Sequence, residues 1–89
     1  MQHDKKEKMI LEALSSVLSE LRINNAKSQR ILAFENGMHK SMISRFESCK
    51  NEPRIFSVWK VANAFGLKPS EFLSLIENKL PQDFNLIDD

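Results

Sequence analysis

The run Ser28 to Phe46, SQRILAFENGMHKSMISRF, constrains this chain more than any other stretch. Ala33, Gly37 and Ile43 stand in it at offsets of four and ten residues, inside two short helical patterns. Two helices that cross at a steep angle need a small residue where their backbones approach. They also need a residue tolerant of positive φ at the turn, which is glycine's property, and an apolar plug from the second helix. Ala33, Gly37 and Ile43 meet these three demands in order.

The rest of the chain reads as helices around that pair. Residues 1–8, MQHDKKEK, are polar and are expected to form a flexible N-terminal segment. From Met9 to Ile23 the apolar residues Ile10, Leu14, Val17 and Leu21 recur at steps of four, three and four, one stripe of a helix. Asn24 and Asn25 end it, and Ser28 is placed to cap the next helix, which closes at Gly37. A third helix is expected from about His39 to Ser48. A fourth runs from about Ile55 to Phe65, with Ile55, Val58, Ala62 and Phe65 on its inner face. Gly66 stops it, and Pro69 suits the first turn of a fifth that carries Phe72, Leu73 and Ile76 to about Leu80. Pro81 opens an acidic tail, residues 81–89. No segment alternates with period two, so the fold class is all-α: a compact five-helix domain over residues 9–80.

Composition narrows the function classes. With 89 residues the chain holds one domain and one core, burying only roughly 60% of its unfolded surface. Cys49 is the sole cysteine, which excludes an internal disulfide and fits a reducing, cytoplasmic setting. The apolar stretch MILEALSSVL is broken by Glu12 and lacks a cleavage site, so neither a signal peptide nor a membrane span is expected. Residues 28–60 carry six basic and three acidic side chains, whereas residues 61–89 carry two and five. No paired carboxylates, nucleophile with a base, glycine-rich phosphate loop or metal-ligand spacing stands out. The chain is therefore read as a non-enzyme without cofactor or metal.

From Leu21 to Leu73 the chain resembles, without a gap, the Cro/repressor-type helix-turn-helix family, also called the xenobiotic response element family. The matching elements are Leu21-Arg22, Ser28-Gln29, Leu32-Ala33, Gly37 and Ile43-Ser44-Arg45-Phe46-Glu47. Lys50-Asn51, Pro53, Val61-Ala62, Ala64-Phe65-Gly66-Leu67 and Glu71-Phe72-Leu73 complete the resemblance. It implies a repressor-like fold with the helix-turn-helix at helices 2 and 3, the third helix lying in the major groove of double-stranded DNA, and dimers on pseudo-palindromic operators.

Carried over position by position, the resemblance implies base contacts from Lys40, Ser41, Ser44 and Arg45. A 100° step per residue puts these four on one face of the third helix, opposite Ile43 and Phe46. Ser28, Gln29, His39, Lys50, Asn51 and Arg54 fall where phosphate contacts are expected. Arg22 and Glu47 match a structural ion pair between the first and third helices. Phe56 and Trp59 share the outer side of the fourth helix and are candidate dimer contacts.

Several positions depart from the family pattern. Cys49 replaces the usual glycine after the recognition helix, where a Cβ costs about 1–2 kcal/mol in the left-handed conformation; the exit of that helix is left open. His39 replaces a capping serine or threonine, and Asn36 an aliphatic residue. Ile31 and Phe34 are apolar where the family is polar. They are read as local repacking, as a patch covered by Phe84, Leu86 and Ile87 of the tail, or as a protein-binding surface. The alternative function is accordingly a helical interaction module, such as an antitoxin-type partner of a second protein.

Overall fold

The computed structural model describes residues 4–87, which form five helices with no strand among them. They are α1 (Lys5–Asn24), α2 (Gln29–Glu35), α3 (Lys40–Ser48), α4 (Ile55–Ala64) and α5 (Pro69–Glu77). α1 packs on α3 and α5, α2 on α3, and α4 on α5. Phe72, Leu18, Leu32, Ile43 and Val61, each from a different helix, lie fully buried at the centre. Removing side chains of this size from water stabilises the fold by about 1.5–3 kcal/mol each.

α1 begins four residues earlier than its apolar stripe predicts. The Glu7 backbone N–H donates to Asp4 Oδ1 at 2.8 Å, and the Asp4 N–H donates to Glu7 Oε1 at 3.1 Å. This reciprocal box satisfies two helix-start donors without any apolar residue, so residues 5–8 are helical although polar. The buried face of α1 is also wider than the predicted stripe: Leu11, Ala13 and Leu18 join Leu14 and Val17 in the interior, while Ile10 and Leu21 are half-buried.

α4 presents Val58, Val61 and Ala62 to the core; Ile55, expected inside, is 60% exposed, and Phe65 is half-buried. At its first position Ile55 overhangs the helix end rather than the packed middle. α5 stops at Glu77 rather than near Leu80, and the chain leaves it through a turn in which the Leu80 N–H donates to the Glu77 carbonyl. On α5, Phe72 and Ile76 are buried, whereas Leu73 is largely exposed.

The tail folds back, but not over α2. The Phe84 N–H closes a turn onto the Pro81 carbonyl at 3.0 Å, and Lys6 Nζ donates to the Asn85 carbonyl at 2.7 Å. Leu86 thereby reaches a groove of about 270 Å³ formed by α1, α4 and α5. Phe34 is left 82% exposed, so the expectation that the tail covers it does not hold.

Candidate nucleic-acid interface

Local sequence explains how α2 and α3 are aimed. Ser28 Oγ accepts from the Ile31 N–H at 3.1 Å and caps α2, while Asn36 Nδ2 donates to the Leu32 carbonyl at its far end. The backbone then turns at Gly37 with φ +63°. A Cβ at Gly37 would meet nothing within 4 Å, so dihedral freedom and not space is what the position requires. Buried Ala33 lets α2 approach α3, into whose base Ile43 and Phe46 are buried.

With Ile43 and Phe46 anchored, the opposite face of α3 is open to solvent. Lys40, Ser41 and Arg45 are exposed there and Ser44 is half-buried. Ser48 shares this face and is missing from the predicted set. The same 100° step would have found it. Its Oγ donates to the Arg45 carbonyl at 2.9 Å, which commits the hydroxyl to the helix end.

The helix leaves at Cys49 in the left-handed conformation, φ +63°. The exit is thus the one glycine would make, held here against the Cβ penalty of about 1–2 kcal/mol. This turn delivers Lys50 and Asn51 to the surface and Arg54 to the cap position of α4. Arg45, Asn51 and Arg54 converge on one cleft of about 160 Å³, together with Glu52 and Pro53. Lys50 stands outside that cleft. Among the described residues no carboxylate pairs with Lys40, Arg45, Lys50 or Arg54, so their charge is available to an anion.

Ser28, Gln29 and His39 occupy the starts of the two helices. Gln29 is half-buried and His39 exposed. The His39 side chain caps nothing; the first turn of α3 is closed instead by the Met42 N–H donating to the His39 carbonyl at 3.0 Å. Ser28 Oγ is already engaged as a cap acceptor, which leaves its hydroxyl proton for an outside partner.

Behind the face, Arg22 and Glu47 meet in a two-pronged ion pair. Arg22 Nε donates to Glu47 Oε2 at 2.9 Å and Nη2 to Oε1 at 3.0 Å. Nη1 donates to the Lys27 carbonyl at 3.0 Å. The hydrogen bond to Glu47 raises the guanidinium pKa above its ordinary value, desolvation opposes this, and the carboxylate charge adds to the rise. Ser15 Oγ donates to the Glu47 carbonyl at 2.8 Å, a second tie from α1 to α3 that no sequence signal announced. α3 is therefore held by polar contacts at its C-terminal end and by apolar packing along its base.

Phe56 and Trp59 lie on the outer side of α4, 77% and 53% exposed. Among the described residues no group of three or more His, Cys, Asp or Glu side chains is placed to hold a metal ion, and no helix is long and apolar enough to cross a membrane.

A helix-turn-helix family profile matches residues 18–72, well over half of the chain. The fold is similar to that of an HTH_3 family transcriptional regulator from Vibrio cholerae, with a TM-score of 0.68 and 25% sequence identity. The likeness covers 76% of this chain but only 38% of that one. A comparison with curated protein sequences gave no match. The profile match, together with the Ala33–Gly37–Ile43 crossing and the open face of α3, makes this chain a member of the Cro/repressor-type helix-turn-helix family, HTH_3.

Proposed function

We propose that the protein is a sequence-specific DNA-binding transcriptional regulator, acting in the cytoplasm as a repressor on a pseudo-palindromic operator. The observation that carries this reading is the outward face of α3, where Lys40 and Arg45 stand exposed, with no carboxylate partner among the described residues, over a helix base fixed by Ile43 and Phe46. A helix seated in the major groove places such side chains against base edges. Arg45 donates to guanine O6 and N7, Lys40 reaches a base acceptor, and Ser41 and Ser44 bond to neighbouring edges. Ser28, Gln29, His39, Lys50, Asn51 and Arg54 grip the flanking phosphates and fix the register without reading sequence.

One copy reads one half-site. The exposed Phe56 and Trp59 supply the aromatic surface on which two copies pair, setting half-sites about 34–36 Å apart. Selection from a random duplex pool at low salt tests the proposal: it should enrich a short inverted repeat with half-site centres about 10 bp apart. Enrichment of no motif would overturn it.

Phe34 favours a second reading. An aromatic side chain 82% exposed on α2 has no role in the DNA geometry above. In this reading the protein is an antitoxin-type module whose α2 surface, Ile31 and Phe34, binds a second protein. Capture of one stoichiometric partner that Phe34→Glu abolishes would establish it.

A further inference from the structure

The groove that receives Leu86 and the cleft that holds Arg45, Asn51 and Arg54 are separated by one short stretch of chain. Glu52 and Pro53 line both. On one side they face Leu86 across a groove whose other walls include Leu14, Val58, Leu73 and Ile76. On the other they stand beside Arg45 and Arg54. The α3–α4 connection is thus a wall shared by an apolar seat and a basic cleft.

The tail is fitted to that seat. Lys6 Nζ holds the Asn85 carbonyl, and Asn85 Oδ1 accepts from the Ile87 N–H at 2.9 Å. These two bonds bracket Leu86, which is 47% exposed, while its neighbour Ile87 is 77% exposed and does not line the groove. Leu86 therefore lines the groove and Ile87 does not.

We infer that residues 81–87 are an intramolecular strap whose Leu86, lining the groove that Glu52 and Pro53 also wall, positions the α3–α4 connection and with it the phosphate-side contacts of Asn51 and Arg54. The consequence for DNA rests on the DNA-binding reading above; the effect of the strap on the connection does not. Leu86 is a positioning residue, since it acts through Glu52 and Pro53 and touches no DNA.

The test compares the full chain with Leu86→Asp, the milder Leu86→Ser, the conservative Leu86→Met and the neighbouring Ile87→Asp. Two readouts are taken. Amide chemical shifts are recorded without DNA, and affinity is measured for the duplex that random selection returns. Leu86→Asp and Leu86→Ser should shift the Glu52 and Arg54 amides while leaving those of α2 in place, and should weaken binding roughly three- to ten-fold by lowering the competent fraction. Leu86→Met should restore both readouts, and Ile87→Asp should change neither. Unmoved Glu52 and Arg54 amides, or moved amides with unchanged affinity, would overturn the inference, as would equal shifts throughout the chain. If the wild-type chain selects no DNA, the function reading fails, and the amide shifts still decide whether the strap sets the connection.

Discussion

Replacing Glu47 by Gln keeps the shape of the side chain and removes the charge that Arg22 faces. Arg22 donates two hydrogen bonds to that carboxylate, at 2.9 and 3.0 Å, and the pair is only 17% and 12% exposed. After substitution the Gln carbonyl can accept one of them, but its amide group confronts the other donor. A bond to a charged group contributes about 1.5–3 kcal/mol, and breaking a fully buried pair costs about 3–5 kcal/mol. Slight solvent access recovers part of the latter, so we expect a loss of about 2–3 kcal/mol. For a domain of this size that lowers Tm by roughly 10–20 °C, at about 4–8 °C per kcal/mol.

The assay is thermal unfolding followed by circular dichroism, with Arg22→Met and the double variant completing a cycle. The pH dependence has a definite sign. The folded guanidinium pKa is raised, so its contribution is complete below the unfolded value and is lost only as pH climbs through the folded one. The Tm difference should therefore be the same at neutral and mildly alkaline pH. Lys79→Met serves as the contrast. It breaks the exposed Lys79–Glu20 bridge, 2.8 Å long, and should cost no more than about 1 kcal/mol. A Glu47→Gln Tm within about a degree of wild type would refute the claim that this pair holds α3 to α1, since pairs worth so little belong to the exposed class.

Three further outcomes follow from the geometry. Cys49→Gly should stabilise the protein by about 0.5–1 kcal/mol: relief of the left-handed Cβ penalty, about 1–2 kcal/mol, exceeds the added freedom of the unfolded chain, about 0.4–1 kcal/mol; a lower Tm would refute the strain at the exit of α3. Lys50→Ala should weaken binding to all duplexes alike and reduce the slope of log K against log salt by about 0.9 per protomer, and a changed sequence preference would show that Lys50 reads bases instead. Phe56→Glu should shift the DNA-bound mass from two copies toward one without altering the circular dichroism of the free chain; an unchanged stoichiometry would place the dimer contact elsewhere.

The elements under the strictest steric demand are the ones legible in the sequence. Two helices crossing at a tight turn admit few residues at Ala33, Gly37 and Ile43, so the crossing could be read directly, and the open face of α3 followed from it. The start of α1 was hidden because it is built from polar residues: Asp4 and Glu7 make a box that apolar periodicity does not register. Ile55 misleads a helical wheel, which gives a first-turn residue the same facing as the middle of the helix, whereas the core of α4 is centred on Val58, Val61 and Ala62. The seat of Leu86 was not legible either. It depends on a backbone carbonyl taken by Lys6, from the opposite end of the chain. The Ser15 contact to α3 is of the same kind, a hydroxyl donating to a main-chain oxygen with no residue pattern to mark it.

The central claim is that α3 reads sequence through Arg45. Its most direct test is the ratio of affinities for the selected inverted repeat and a scrambled duplex, measured at one salt concentration for wild type and Arg45→Ala. Loss of a bidentate guanine contact removes about 1–3 kcal/mol of discrimination, so the ratio should fall about 5- to 150-fold per half-site while scrambled-duplex binding weakens far less. If both affinities fall by the same factor and the ratio is unchanged, Arg45 contacts only the backbone, and the assignment of the outward face of α3 as the reading surface is wrong.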